Sequence, residues 1–558
     1  MLFSFTMINL STNNLSTNKY TKIILVCILL IAACLRLYKL DSVPPSLSWD
    51  EVANGYNAWT IANYGTDEYG RIFPLYFESF RDDKHPIHFY LSAISIKLFG
   101  LNEFATRLPA AFIEILCVLL IFYIGKTLFN SQVGLIASFF LAISPYNLHF
   151  SRTSHEANTQ FFFFLLGIFL FLKFLKKGGK YLPWSVLSFC ICFITYHPAK
   201  VVVPFFILLL LSLYFKDLLK SKISLLISSF IILAFGAIVI TNTQLLGIAR
   251  IDQSGLRDGD FERARIFKLT NNHFLGRIEI TLSQYLSHFS PEFLFITGDK
   301  NARLSSQKGE FYKIDFIFLL AGFLYLLYKR SKAGVLLLGW ALIGPVPASL
   351  AGDAPHGARA SFMMGSWHLI SAFGFYTILN LIKSKKLKTS ILVISIVILS
   401  FSLFNNLKYY FGEYTTRYAF EWQYGMKQIA KFVSEHQEYS QVFVTDVRSQ
   451  PYIFFLYYLQ FPLPVYLNSV VFNQAPESKR YNNVSSFGGF YKGVDNKERR
   501  VNLNFGNWNP IESKPLPGVL YVLTPSQYDG LRSKSSFDIK SLIYYPNGTD
   551  AYYIIAGK

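Results

Sequence analysis

Ile23-Ile24-Leu25-Val26-Cys27-Ile28-Leu29-Leu30-Ile31-Ala32-Ala33-Cys34-Leu35-Arg36-Leu37 is an apolar run broken only by Arg36. Lys19 and Lys22 precede it, and the polar loop Pro44-Pro45-Ser46-Leu47-Ser48-Trp49-Asp50-Glu51 follows. A membrane-spanning helix takes about 20 mostly apolar residues. Comparable blocks recur at roughly 109–128, 132–149, 157–175, 184–197, 200–216, 222–242, 312–328, 333–350, 361–382 and 389–405. Every backbone amide in hydrocarbon must find a partner inside the protein, so blocks of this length are helices. A β-barrel would show short alternating segments instead. The chain reads as a polytopic α-helical membrane protein of about eleven spans, and its 52% hydrophobic composition and mean hydropathy of +0.32 agree. No small-x-small cleavage pattern follows the first run, so it is expected to stay as an uncleaved span. The segment 184–197 is short and ends at His197-Pro198, which predicts a kink or a re-entrant turn.

The net charge of +19 raises the question of nucleic acid, and its distribution answers it. The lysines bunch between apolar blocks: Lys173, Lys176, Lys177 and Lys180; Lys216, Lys220 and Lys222; Lys329, Arg330 and Lys332; Lys383, Lys385, Lys386 and Lys388. With the N-terminus in the cytoplasm all of them fall on the cytoplasmic side, the pattern of a protein of the cytoplasmic (inner) membrane. No nucleic-acid partner is implied. The five cysteines, Cys27, Cys34, Cys117, Cys190 and Cys192, all lie in apolar blocks and read as packing residues.

This orientation collects the longer polar segments on the outer face. They are loop 39–108, the turn 150–156, the link 197–200, loop 243–311, the turn 351–360 and the tail 406–558. Glu51–Asn63 and Ile87–Phe99 have helical spacing with aromatics, as for amphipathic helices lying in the interface. Residues 1–405 therefore form a transmembrane domain, and 406–558 a soluble extracytoplasmic α/β domain. Its signals are a helix over Gln423–Tyr439, a strand over Gln441–Thr445, a helix or buried run over Pro451–Leu459, and strand-like stretches at Val519–Thr524 and Ile543–Ile555.

Polar residues on that face cluster. Asp50-Glu51 is either a solvated loop pair or the base of an active site. Arg81-Asp82-Asp83-Lys84-His85-Pro86 comes next, then Arg107 beside Pro109 at the start of the second span. A guanidinium at headgroup level suits a phosphate, and equally suits snorkelling. Ser151-Arg152-Thr153-Ser154-His155-Glu156, His197-Pro198-Ala199-Lys200 and His356-Gly357-Ala358-Arg359 complete the set. Charges held against the hydrocarbon are costly and usually functional. No P-loop, His-Glu-x-x-His or zinc-spaced cysteine pattern occurs, so energy for chemistry on this face has to arrive in an activated lipid or a gradient.

Three stretches carry a family resemblance. They are Trp49-Asp50-Glu51 after the first span, Lys84-His85-Pro86-Ile87-His88-Phe89-Tyr90-Leu91, and Lys97-Leu98-Phe99-Gly100-Leu101-Asn102-Glu103-Phe104-Ala105-Thr106-Arg107-Leu108-Pro109. They resemble the C superfamily of membrane glycosyltransferases (GT-C), and within it the bacterial protein O-mannosyltransferase and aminoarabinose-transferase-like family. The likeness runs over about 20–405 by topology and 45–160 by motif; His85 stands where relatives carry the first proline of a Lys-Pro-Pro run.

The resemblance implies inverting transfer of a sugar from a polyprenyl-phosphate carrier to a protein, lipid or glycan acceptor outside the membrane. Asp50 would be the base and Glu51 its support, with Glu156 as a second acidic residue. Lys84, His85, Arg107, Arg152, His356 and Arg359 would hold the lipid phosphate. Some superfamily members use a divalent metal, but the carboxylates here are too few and scattered to name ligands. The competing reading is a lipid or glycan flippase. The absence of an evident internal repeat and the near absence of charges within spans weigh against it.

Overall fold

The structure is a computed structural model that describes residues 15–80, 82–247, 255–256, 258–473, 482–493, 495–506 and 516–558. Each expected apolar block is helical. Helices α1 (Leu15–Leu37), α2 (Trp49–Tyr64), α3 (Pro86–Phe99), α4 (Glu103–Leu128), α5 (Ser131–Ile143), α6 (Pro145–Phe150), α7 (Glu156–Lys177), α8 (Leu182–Phe193), α9 (Ala199–Leu219) and α10 (Lys222–Thr241) come first. The apolar helices Asp315–Lys329, Lys332–Ile343, Ser361–Leu381 and Lys385–Lys408 follow. Among the described residues, eight helices are long and apolar enough to cross a membrane. Helices α5, α8 and Asp315–Lys329 have 13, 12 and 15 residues. At about 1.5 Å of rise per residue they fall short of a hydrocarbon layer about 30 Å thick. The turn expected at His197-Pro198 separates α8 from α9.

The helices pack closely where side chains are smallest. A Cβ on Gly134 would lie 2.5 Å from the Phe122 carbonyl oxygen, and one on Gly374 would lie 1.9 Å from that of Phe318. Without a hydrophobic force between helices in lipid, such close approach supplies the association energy. In the same apolar core Phe164, Phe206, Trp340 and Phe362 form a packed aromatic centre. Cys117, Cys190 and Cys192 are buried as expected, whereas Cys27 and Cys34 sit on the exposed side of α1, away from any packing.

The tail builds a seven-stranded sheet from β3 (Gln441–Thr445), β4 (Val471–Phe472), β5 (Val484–Lys492), β6 (Glu498–Gly506), β7 (Val519–Leu523), β8 (Phe537–Tyr544) and β9 (Asp550–Gly557). Its order is β4-β5-β6-β3-β7-β9-β8. Central β3 runs parallel to β6 and β7, and the remaining pairs are antiparallel. Helices Met426–Glu435 and Pro451–Tyr458 cover it.

Loop 39–108 and the tail share one hydrophobic core: Leu47, Val52, Tyr56, Phe77 and Phe89 pack with Ile429, Tyr452, Phe455 and Leu520. The Tyr56 hydroxyl donates to the Phe461 carbonyl at 2.8 Å, and the Thr106 and Tyr457 hydroxyls meet at 2.7 Å. This corrects the interfacial reading of α2. Asn54, Asn57 and Thr60 are fully buried, so α2 is packed inside protein along its middle, and only its two ends are exposed. Helix α3 does expose Ile94, Leu98 and Phe99.

Candidate active site

Helix α2 starts on a capping box. Ser48 is the N-cap, its hydroxyl accepts from the Glu51 amide, and the Glu51 carboxylate accepts from the Ser48 amide at 3.0 Å. This local device fixes the two adjacent carboxylates in opposite surroundings. Glu51 is turned inward and is 2% exposed. Its oxygens accept from Arg107 Nε at 2.9 Å and Nη2 at 3.3 Å, from the Ser154 amide at 3.0 Å, and from the Ser48 amide.

Arg107 directs its remaining N–H groups at the carbonyls of Leu40, Pro44 and Ser46, at 3.2, 3.0 and 2.6 Å. Arg152 spends all of its donors on backbone carbonyls, those of Leu35, Arg36, Lys39 and Val43, at 2.8–3.2 Å. A guanidinium has five N–H donors, so neither arginine has one left over.

Two sequence expectations change as a result. Arg107 and Arg152 are not free to grip a lipid phosphate, because the backbone of residues 35–46 already occupies them. Glu51 has no lone pair open to a substrate proton, the setting of a supporting residue rather than of a base. The three residues clamp the loop that delivers Asp50.

Asp50 faces outward. Its side chain is 42% exposed, with Lys84 Nζ at 2.7 Å from one oxygen and Arg303 Nη1 at 3.9 Å from the other. Burial by the surrounding loops pushes its carboxyl pKa up, but the Lys84 ammonium and the Arg303 guanidinium prevail and hold it at about 2. Lys84 ends the short hairpin of β1 (Phe77–Ser79) and β2 (Asp82–Lys84). Arg303 was not singled out from the sequence. It lies in the loop before the helix Asp315–Lys329, with its guanidinium stacked 4.0 Å above the Trp49 ring. Asp299 ties that loop to the turn at 351–360 by accepting from the Gly357 amide at 2.7 Å. Arg81 lies outside the described residues.

A second cationic group adjoins. His155 is near enough to act on Asp50 electrostatically, and its ring meets that of Tyr196 at 5.2 Å. Tyr196, His197, Lys200 and Arg359 line a cavity of about 180 Å³. His85 is buried against this group, its Nε2 2.5 Å from Lys200 Nζ and its ring edge-on to His197 at 4.5 Å. Burial and then Lys200 depress the His85 pKa well below its ordinary value, so the ring is neutral and accepts from the ammonium. Arg359 pairs with Asp353, and His356 sits between Asp299 at 4.0 Å and Asp353 at 3.7 Å. Glu156 is 7% exposed, with one oxygen 3.7 Å from His155 Nδ1 and the other unpartnered.

The donor set does not suit a metal ion. Among the described residues no three His, Cys, Asp or Glu side chains gather at metal-ligand spacing. The neighbours of Asp50 are cations, which supply positive charge themselves and repel a divalent ion.

A bundle of membrane helices capped by an α/β domain, with Asp50 at their junction, defines a multi-pass membrane protein of the GT-C fold class. The comparisons agree. The profile of the family described as dolichyl-phosphate-mannose-protein mannosyltransferase matches residues 83–241. The chain is 27% identical over 220 residues to "Putative mannosyltransferase YkcB" of Bacillus subtilis (strain 168), covering 38% of this chain and 29% of that one. It is also 27% identical over 217 residues to the likewise named YycA of the same organism, covering 38% and 30%. These matches span under a third of either relative.

In fold, the chain resembles ArnT from Cupriavidus metallidurans in the apo state, with TM-score 0.55 at 12% identity over 98% of this chain and 100% of that one. The same protein bound to undecaprenyl phosphate gives 0.52 at 12% identity over 96% and 99%. Archaeal AglB from Archaeoglobus fulgidus, in complex with an inhibitory peptide and a dolichol-phosphate, gives 0.50 at 14% identity over 80% and 64%.

Proposed function

We propose that this protein is a glycosyltransferase that moves a hexosyl or pentosyl group from a polyprenyl-phosphate carrier to an acceptor hydroxyl, with Asp50 as general base. The observation that carries this reading is the contrast within one dipeptide. Glu51 is buried and saturated, while Asp50 is open and flanked by two cations. Similarity to mannosyltransferase-named relatives over 83–241, and a fold shared with a protein that binds undecaprenyl phosphate, support it.

Asp50 takes the acceptor hydroxyl proton as the acceptor oxygen bonds to the sugar anomeric carbon. The bond from that carbon to the phosphate oxygen breaks on the opposite side, so the configuration inverts. The polyprenyl phosphate leaves with one more negative charge. In this reading Lys84 and Arg303 beside Asp50, with Lys200 and Arg359 of the adjoining cavity, receive it, since fixed positive charge at a developing anion is an effective catalytic device. An incoming phosphate competes with Asp50 for Lys84 and Arg303. Binding the donor therefore loosens the ion pair that keeps Asp50 a weak base and raises its basicity when the hydroxyl arrives.

The acceptor is on the outer side of the cytoplasmic membrane in this reading. The lysine clusters between spans favour that orientation, and an active site there has no access to cytosolic nucleotide sugars.

The test is transfer in membranes supplied with undecaprenyl-phosphate mannose and the related pentose donor. Asp50→Asn is expected to lose on the order of 10³-fold in turnover while still binding undecaprenyl phosphate. Wild-type turnover in that variant would overturn the assignment, and movement of the lipid across liposomes without covalent transfer would favour a flippase.

A further inference from the structure

The segment joining the membrane bundle to the C-terminal domain reaches both walls of the Asp50 site through two consecutive residues. On one side, Gln423 is 3% exposed, and its Oε1 accepts from the Trp49 amide at 2.9 Å. Its Nε2 donates to the carbonyls of Arg448 and Ser449 at 2.7 and 3.1 Å, in the loop that follows β3. On the other side, Trp422 Nε1 donates to the Tyr414 hydroxyl at 2.8 Å. That hydroxyl donates to the Ala302 carbonyl at 2.5 Å, next to Arg303. His149 adds a brace: its Nε2 donates to the Arg303 carbonyl at 3.0 Å, which leaves Nδ1 to accept from the Tyr410 hydroxyl at 3.2 Å. The Arg303 guanidinium stacked on Trp49 closes a ring of contacts around Asp50.

Trp49 is the first residue of α2, and the opening amides of a helix have no partner within it. Ser48 caps the Glu51 amide; the Trp49 amide is served by a side chain 374 residues away in sequence. The far end of that side chain is well anchored. Arg448 packs over the rings of Phe420, Tyr545 and Tyr552 at 4.5, 5.3 and 4.5 Å. Ser449 and Gln450 both hold left-handed backbone, at φ 62° and 46°, so the surrounding contacts define this loop tightly.

We propose that Gln423 is a positioning residue: it couples the C-terminal domain to the helix turn that carries Asp50, so that this domain sets the placement of the base. The inference rests on the reading of Asp50 as general base. Both N–H donors and the carbonyl oxygen of the Gln423 amide are engaged, the oxygen toward the catalytic turn and the two donors toward the domain, so the side chain is a strut between them. Ångström-scale misplacement of a catalytic group costs turnover more than binding.

The experiment compares full-length wild type, Asp50→Asn, Gln423→Leu and Gln423→Glu in detergent or nanodiscs. The probes are undecaprenyl-phosphate mannose for turnover and undecaprenyl phosphate for binding, with amide hydrogen exchange of residues 48–52 measured alongside. Gln423→Leu is expected to lower kcat by about 10- to 100-fold with donor KM within about twofold, and to speed exchange at Trp49 and Asp50. Gln423→Glu keeps the acceptor for the Trp49 amide but loses both donors to the domain. It is expected to restore slow exchange at Trp49 without restoring full kcat.

Unchanged exchange at Trp49 in Gln423→Leu overturns the strut. So does a loss that appears wholly in KM, or full turnover in Gln423→Leu beside an inactive Asp50→Asn. An active Asp50→Asn overturns the base assignment itself and this inference with it.

Discussion

Two charged regions lie within a few residues of each other and are built on opposite plans. In the clamp of Glu51, Arg107 and Arg152, every donor and acceptor is satisfied and the groups are buried. Around Asp50 the contacts are fewer and one is slack, with Arg303 at 3.9 Å and the carboxylate 42% exposed. Saturated charge specifies a backbone path; the incompletely satisfied charge next to it is available to a substrate. The sequence shows two neighbouring carboxylates and cannot show this division, because it depends on which way a capping box turns each one.

The largest effect is expected from breaking the clamp. Arg107→Met leaves Glu51 buried without its partner and should destabilise the fold by about 3–5 kcal/mol, read as lost thermal stability in detergent. If Arg107 instead served the lipid phosphate, the variant would fold normally and lose donor affinity.

Next is Lys84→Ala, expected to lower turnover by about 10²-fold with little loss of folded protein. It should also shift the acid limb of the pH profile. In the free protein Lys84 and Arg303 hold Asp50 at about 2, below the usual 3.8. Asp50 is then already deprotonated through the neutral range, and wild-type kcat/KM should be flat down to about pH 4. Without Lys84 the upward push of burial is less opposed, so protonation of Asp50 sets in at higher pH. A profile unchanged in the variant would show that Lys84 does not control Asp50.

The smallest expected effect concerns the core shared by loop 39–108 and the tail. Glu68 is fully buried, and its carboxyl is pushed up to about 8 from the usual 4.5, mainly by burial. Asn57 donates to it at 3.3 Å. The unfolded chain ionises this group first, so its contribution to stability falls as pH rises from about 4.5 to about 8. Glu68→Gln should therefore stabilise the protein at pH 8, by roughly 1–2 kcal/mol, and make little difference at pH 4. Equal melting temperatures at pH 8 would contradict this.

The membrane helices were legible because twenty apolar residues have few other fates. The strand Gln441–Thr445 was legible at its observed bounds and Val519–Leu523 to within one residue of the expected Val519–Thr524, because both are short runs of β-branched, aromatic and other apolar residues. Strands β5 and β6 were missed: Val484–Lys492 is rich in Ser and Gly, and Glu498–Gly506 carries Glu, Arg and Asn on its outward positions. Only their pairing with β3 and β4 makes strands of them. Asp50 and Lys84 came from motif and side of membrane. Arg303 and Gln423 did not, because their roles arise from contacts across more than 250 residues in sequence, to Asp50 and to the Trp49 amide. The signal for Arg303 was weak, because loop 243–311 carries several other cations, among them Lys300 and Lys308. None existed for Gln423. Helix α2 misled because its helical spacing is real while protein surrounds the middle of it, from Glu51 to Ile61.

The central claim is that two adjacent carboxylates have different jobs, and it is tested most directly by measuring sugar transfer per folded molecule for Asp50→Asn and Glu51→Gln side by side. Asp50→Asn should be well folded and inactive. Glu51→Gln should be poorly folded, with its surviving folded fraction turning over at close to the wild-type rate. A stable, inactive Glu51→Gln beside an active Asp50→Asn would contradict the account.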